Sequence, residues 1–460
     1  MTAIGLTCAA CHTGRFTYQN TTVVIDGGPA LTNLYKLKQG LGVSLLFTRY
    51  LPFRFGRFAE RILGPDASSD DRAGLKEQLD LVLKQYKEMK DLEDSVAALS
   101  IDEGFGRLDA LNRIGNQVFS IDLKNPKNYA AHSAPVHYPR IWNAPWFDWV
   151  QYNGSIEQPM VRNAGESLGV SSDLNLTDES KGLYKSSVKF ETLYEMERMI
   201  AGDPPSVAKG FTGLKSPEWP KDILPPINEK LAADGEKLYV SRCQGCHLPP
   251  VTSQALFENP KWWIPNKNGE PRLKLELIPL EHIGTDPAQT VDMANRTVAL
   301  PSNLGIKRYD FGHALGDLVE NTINYWYNHN APPTPQADRD RINGYTDNGI
   351  QAPLAYRVRP LNGVWATPPY LHNGSVPTID DLLGPADKRP PSFYLGNREY
   401  DPVKLGYKTE PLVNGFEFKT WLRGNSNRGH EFSNTKGPGV IGTALSTDER
   451  KAIIEYLKTL

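Results

Sequence analysis

Cys8-Ala-Ala-Cys11-His12 and Cys243-Gln-Gly-Cys246-His247 together hold all four cysteines of the 460-residue chain. Both runs have the form Cys-x-x-Cys-His, in which two thiols can add to the vinyl groups of a haem while the adjacent His binds its iron from the proximal side. No cysteine is left over for a disulfide framework, so the pair reads as two attachment sites for covalently bound haem c, with Cys8, Cys11, Cys243 and Cys246 as anchors and His12 and His247 as iron ligands. Two other readings fit the spacing less well. A zinc knuckle would want about four nitrogen or sulfur ligands at recurring spacing, and a thioredoxin-like redox pair would follow a strand in a βαβ unit.

The second motif has the stronger setting. INEKLAADGEKLYVSRCQGCH reads as an amphipathic helix running into the haem loop, with Leu231, Leu238 and Tyr239 on one side and Gly235 where another helix could come close. LSTDERKAIIEYLKTL supplies a closing helix, with Ser446 as N-cap and Glu449 as its capping-box partner. These bounds define a C-terminal cytochrome c-like domain over 228–460, with insertions. Residues 201–227 are Pro-rich and read as an interdomain strap. Residues 1–200 form an N-terminal cytochrome c-like domain, with helices over 72–93 and 186–200 and a strand over 21–26. The fold class is mainly α: two cytochrome c-like domains, each around one c-type haem, with long loops and few short strands. The 39 Gly and 36 Pro fit such loops, and aromatic residues at a tenth of the chain argue against disorder.

The 51 Lys and Arg nearly balance the 53 Asp and Glu, without long runs of one sign. Nothing in that balance suggests a nucleic acid or an anionic membrane as partner, and no stretch reaches the ~20 apolar residues of a transmembrane segment. Covalent haem attachment requires export, so a periplasmic or secreted location is expected. Neither a helix nor an export signal fits ahead of Cys8, so the expectation is that a signal and a first helix packing on haem 1 are missing from this chain.

The stretch TPPYLHNGSVPTIDDLL (367–383) and the paired haem motifs resemble the bacterial di-haem cytochrome c peroxidase family, which includes the di-haem rubber oxygenases and an enzyme that matures a quinone cofactor. In the peroxidases a Met soon after this stretch binds the electron-transfer iron. Here no Met follows, and the resemblance to the rubber oxygenases implies His430 as distal ligand of haem 2, with His372 close to the haem. For haem 1, the position of the peroxidases' distal His falls on Asn125, which is no ligand. Haem 1 is therefore expected to keep an open face, with His132 and His137 as nearby imidazoles that could close it.

The resemblance also implies roles for other side chains. Tyr152-Asn153-Gly154 matches a turn between the haems and makes Tyr152 an aromatic electron relay, with Trp149 as an alternative beside the cofactor. Asn163-Ala-Gly-Glu166 matches the stretch carrying the family's catalytic carboxylate, which makes Glu166 a proton shuttle. The family's interdomain Ca2+ would be met by carbonyls of Thr367 and Pro369, with Ser133 in place of an Asn. Arg107 and Arg113, read as lying on one helix over 104–119, could pair with haem propionates.

These readings imply a cytochrome c peroxidase-like haem oxidoreductase. Hydrogen peroxide is reduced at haem 1, with electrons from a small cytochrome or cupredoxin delivered through haem 2. The alternatives are a di-haem oxygenase using O2 on an unsaturated hydrocarbon or lipid, and an electron carrier without a substrate.

Overall fold

The computed structural model describes residues 5–460. From Cys8 one helical turn, Ala9–His12, leads into strand β1 (Thr13–Tyr18), which pairs antiparallel with β2 (Thr21–Asp26). The linking residues Gln19 and Asn20 both have positive φ, 47° and 67°, the two-residue hairpin geometry whose twist matches that of the strands. Three helices follow, α1 (Leu34–Tyr50), α2 (Arg54–Leu63) and α3 (Ser69–Ser95), and they pack on one another. The start of α3 is set by a reciprocal capping box between Ser68 and Asp71, which carries the helix beyond both ends of the 72–93 expectation.

The stretch 104–119 is not one helix. Arg107 and Leu108 form a short strand with Val136 and His137. Asp109 then caps a helix over Ala110–Gly115, which widens into a π-helical segment over Asn116–Asp122. The remaining long elements are α4 (Pro159–Gly169), α5 (Phe190–Ala201), α6 (Glu229–Arg242), α7 (Phe311–His329) and α8 (Thr447–Leu457). Among the described residues the strands form only two-stranded sheets, so the fold is mainly helical with few short strands. No helix among the described residues is long and apolar enough to cross a membrane.

Two apolar cores hold these elements, and neither is confined to one part of the chain. One joins Val118, Phe119, Met160 and Leu168 to Leu273, Phe311, Leu318 and Tyr327. The other joins Phe16 and Ile25 of the hairpin to Trp142, Tyr239, Trp365, Tyr400 and Ile453. Within the second core α6 crosses α8 at Gly235, where an added Cβ would lie 2.0 Å from the carbonyl oxygen of Ala452. That close approach seats the start of the Cys243 motif on the closing helix, whose own start is fixed by the Ser446 and Glu449 capping box.

A repeat connects the two parts. Asn143 and Gly363 both take left-handed φ, near 62°, and each opens a short 3-10 turn, Ala144–Trp146 and Val364–Ala366. Val150 bridges Ile156, as Tyr370 bridges Val376. Gln151 and Leu371, and then Gly154 and Gly374, repeat the positive φ values. Helices begin at Pro159 and Ile379. The copies face each other, because residues 220 positions apart bond directly: Trp142 Nε1 donates to Asn362 O and Arg140 donates to Pro360 O. Contact between equivalent positions is the mark of a local two-fold axis. Tyr152 and His372 are such equivalents, and their rings meet edge to face at 6.2 Å.

Gly235→Ala should destabilise the folded protein by about 1–3 kcal/mol, since the clash is with backbone. Gly56→Ala, in open space on α2, should instead stabilise it by about 0.5–1 kcal/mol. Denaturant unfolding followed by circular dichroism separates the two outcomes.

Candidate functional site

Each Cys-x-x-Cys-His motif forms a helical turn that presents its His to a backbone carbonyl from the repeated segments. His12 Nδ1 lies 2.8 Å from Pro139 O, and His247 Nδ1 lies 3.0 Å from Arg359 O. A carbonyl only accepts, so Nδ1 carries the proton in both rings and Nε2 is left free to bind a metal. Pro139 and Arg359 occupy equivalent places in the repeat, each four residues before the left-handed residue. Burial lowers the pKa of His12 to about 4 and lowers that of His247, which keeps both imidazoles in the neutral form a metal requires. The four thiols are free. Among the described residues no cluster of three or more His, Cys, Asp or Glu side chains could complete a zinc site around them.

The two His differ in what faces them. The ring of His430 stands 6.1 Å from that of His247, centre to centre. Two imidazoles bound to opposite sides of one metal ion, at about 2 Å per metal–nitrogen bond, put their ring centres about 6 Å apart. His430 Nδ1 is fully enclosed and has no hydrogen-bond partner among the described residues, and burial holds its pKa down at about 3. Its backbone, at φ 47°, is held by its N–H donating to Ile283 O and by Arg389 donating to its carbonyl. Among the described residues no imidazole ring faces His12 in this way.

The region between the motifs is rich in unpaired cations. Arg140 is buried and Arg357 and Arg359 are partly buried, and none of them has a carboxylate in ion-pair range among the described residues. Arg140 donates to Thr367 Oγ1 and Pro360 O, Arg357 to Gln151 O and Arg359 to Arg140 O. Burial lowers the pKa of Arg357 to about 9 and that of Arg359 to about 10. Enclosed cations without counter-ions call for an acidic ligand. The propionates of a haem meet that need, and together with the free Nε2 atoms the donor set fits a haem at each motif. Arg140, Arg357 and Arg359 are functional candidates that sequence reading missed. The near-repeat of Tyr-Asn-Gly-Ser-Ile (152–156) as His-Asn-Gly-Ser-Val (372–376) is the signal that could have found them.

Glu166 lies on α4, and its charge acts on both Cys8 and Cys11. Its side chain is exposed to solvent on α4, and the neighbouring protein removes enough hydration to raise its pKa above the ordinary 4.5. Gln151 Nε2 donates to its Oε1 at 3.4 Å. Arg162, one turn earlier, is drawn toward Glu197. Tyr152 is partly buried among Arg140, Arg357 and Arg359, and burial raises its pKa. His372 stacks on Tyr356 at 3.9 Å, so Tyr152, His372 and Tyr356 form a chain of three rings. Trp149 is partly buried, and its ring edge lies against Gly349.

Several expected residues are engaged elsewhere. Arg113 forms a two-pronged ion pair with Glu103, at 2.8 Å on each prong, so its charge is already matched. Arg107 is fully buried, donates to carbonyls of Asp102, Glu103 and Asn373 and to Asn425, and lies over the Phe418 ring. Arg113 is therefore matched by a carboxylate, whereas Arg107 is held by backbone carbonyls and the Asn425 amide. His132 meets Asn116 and the Tyr129 ring, and the backbone N–H of His137 donates to His372 O. No hydrogen bond or ring contact joins either imidazole to the Cys8 turn among the described residues. Asn125 donates to Ala299 O, and the Ser133 hydroxyl donates to Asp292.

Comparison with known proteins agrees with this chemistry. A family described as RoxA-like, cytochrome c-like matches residues 355–394, the segment that carries Arg357, Arg359, His372 and Arg389. The match identifies a haem cytochrome segment related to RoxA and implies haem c. The chain is 59% identical to the uncharacterized protein y4iJ of Sinorhizobium fredii over 460 residues, covering all of this chain and 77% of that protein. It is 26% identical to a second uncharacterized protein of the same organism, y4iM, over 339 residues, covering 70% of this chain and 63% of that protein.

Arg389 donates to the carbonyls of Leu382, Asn427, Gly429 and His430. Replacing it with Leu strands these acceptors and should cost about 2–4 kcal/mol. Limited proteolysis should then cut the Gly424–Phe432 segment first, while cleavage within α4 stays unchanged.

Proposed function

The chain belongs to the family of the Sinorhizobium fredii protein y4iJ, and we propose that it is a di-haem c-type cytochrome that reduces hydrogen peroxide at the Cys8 haem with electrons received at the Cys243 haem. The inequality of the two attachment sites carries this reading. His247 has an opposing imidazole in His430, whereas His12 has none among the described residues and the charge of Glu166 acts on its motif. A c-type haem, when bound, supplies an iron that passes electrons one at a time and can hold an oxygen ligand on an open face.

The protein's part is to fix the ligands and move protons. Cys8, Cys11 and His12 hold one haem, and Cys243, Cys246, His247 and His430 hold the other. Arg140, Arg357 and Arg359 receive the carboxylates. Reducing peroxide to two waters takes two protons and two electrons. Glu166, steadied by Gln151, takes a proton from the incoming peroxide and returns it to the departing oxygen. Tyr152, set among Arg140, Arg357 and Arg359 with its ring edge to face on His372, would serve as the relay; Trp149, turned toward Gly349, is the weaker candidate. A small cytochrome or cupredoxin would deliver electrons, in the periplasm or outside the cell, where haem c is attached.

A second reading is an oxygenase that uses O2 on an unsaturated hydrocarbon or lipid. The RoxA-like match favours it, as do the late His430 and the absence of a Met after Leu383. An electron carrier without a substrate would leave Glu166, whose charge acts on Cys8 and Cys11, without a role. Peroxide turnover with a reduced donor dye, measured beside O2 uptake on an unsaturated lipid, decides between the first two.

Glu166→Gln should lower peroxide turnover by about 100-fold or more while leaving both haems attached. As a base Glu166 must be ionised, and its pKa lies above 4.5. Wild-type turnover should therefore fall as pH drops through that raised value, and the acid limb should vanish in the Gln variant. His430→Gly should convert one low-spin signal to high-spin in electron paramagnetic resonance without changing the haem content. An unchanged spectrum would remove His430 as a ligand.

A further inference from the structure

The helices α1 and α2 carry an apolar surface that the rest of the fold does not cover. Val43, Leu46, Phe47 and Tyr50 recur at i, i+3, i+4 and i+7 along α1, the spacing of a helix face that normally packs into a core. All four are exposed, and the row continues through Leu51 to Phe53, which is 87% exposed at the corner between the helices. Phe53 holds a left-handed φ of 64° there, a conformation unfavourable for a bulky side chain. An exposed aromatic held in a strained backbone at the corner between two helices asks for a partner.

The charges beside it show which partner. Between Phe47 and Leu63 there are four arginines, one glutamate and no aspartate or lysine. Arg49 is paired with Asp80, and its guanidinium lies over the Tyr50 ring. Arg54 lies over the Phe47 ring at 5.6 Å. Arg54, Arg57 and Arg61 share one side of α2, are exposed, and have no carboxylate in ion-pair range among the described residues. Phe55, Phe58 and Ala59 occupy the opposite side of α2 and are turned partly or wholly inward. A convex apolar corner rimmed by free arginines does not form the groove a protein segment would need. It suits a surface that is apolar inside and anionic at its boundary.

We propose that the corner formed by α1 and α2 docks the protein on an anionic phospholipid bilayer. Phe53, Tyr50 and Leu51 enter the headgroup boundary, and Arg54, Arg57 and Arg61 meet lipid phosphates. The near-neutral charge of the whole chain conceals this element, because its local excess of three positive charges is offset elsewhere.

The test is co-sedimentation of the haem-loaded full chain with vesicles of phosphatidylcholine alone or with phosphatidylglycerol added. The wild type should bind the anionic vesicles and release in high salt. Phe53→Asn places a residue that tolerates left-handed φ at the corner, so it keeps the fold, and it should weaken binding about tenfold or more. Neutralising Arg54, Arg57 and Arg61 to Gln should weaken it about fivefold for each charge. Three results would overturn the proposal: a wild type that stays in the supernatant with both vesicle types, binding that is equal for all variants, or a dimer in light scattering that Phe53→Asn dissociates without any vesicle binding. The last would assign the corner to a second copy of the chain.

Discussion

The carbonyl oxygens of Pro139 and Arg359 fix the two imidazoles on which the arrangement depends. A hydrogen bond of this kind is worth only about 1 kcal/mol in net stability. Its larger effect is to choose the tautomer and to stop ring rotation, so that Nε2 points in one direction. The carbonyls are themselves held rigidly. Arg359 donates to Arg140 O, Arg140 to Pro360 O, Trp142 to Asn362 O and Asn362 to Asn143 Oδ1. One imidazole cannot shift without disturbing the segment that orients the other. The two motifs, 235 residues apart in sequence, therefore share one scaffold.

That scaffold has an electrostatic cost. Arg140, Arg357 and Arg359 bring positive charge into a partly dehydrated region, where their hydrogen bonds go mostly to backbone carbonyls. Carbonyl oxygens offset only part of the lost hydration, which is why burial lowers all three pKa values. An acidic cofactor removes the imbalance. Binding and folding are then coupled, because the ligand stabilises the native state by more than it could stabilise an unfolded chain. On the proposed di-haem reading, attachment through the four motif thiols would make that stabilisation permanent. The aromatic faces of Phe147 beneath Arg357 and Arg359 give a smaller contribution of the same sign.

Much of this was legible in the sequence. The motif cysteines and their His, the helix ahead of Cys243, the approach at Gly235 and the capped closing helix all rest on local chemistry, and local chemistry is what a sequence displays. His430 was legible only through resemblance, because its distance to His247 depends on a loop of irregular backbone. The helix shared by Arg107 and Arg113 was misread for a physical reason. Arg107 and Arg113 have a helix-like spacing, but Glu103, four residues before Arg107, offers Arg113 a buried partner, and the strand pairing with Val136 and His137 rules out a common helix. The arginines that stay unpaired sit in coil, where no periodicity marks them. The membrane corner was hidden by averaging, since a whole-chain charge cannot report a patch.

The repeat also explains why the two sites are unequal. After the strained Asn-Gly-Ser turns both copies begin a helix at the same place, at Pro159 and at Ile379. The first helix runs for 11 residues and carries Glu166 back toward Cys8. The second ends after 5, at Gly384 and Pro385, because proline cannot continue the hydrogen-bond ladder. The chain then makes a long excursion before the closing helix, and Arg389 ties its return to the stump of the short helix by donating to Leu382 O and His430 O. The same starting geometry thus gives a helix bearing an acid in one copy and a loop bearing a ligand in the other. One position along the chain, where a helix continues or stops, separates a motif whose His has no opposing imidazole among the described residues from one whose His has His430 opposite it.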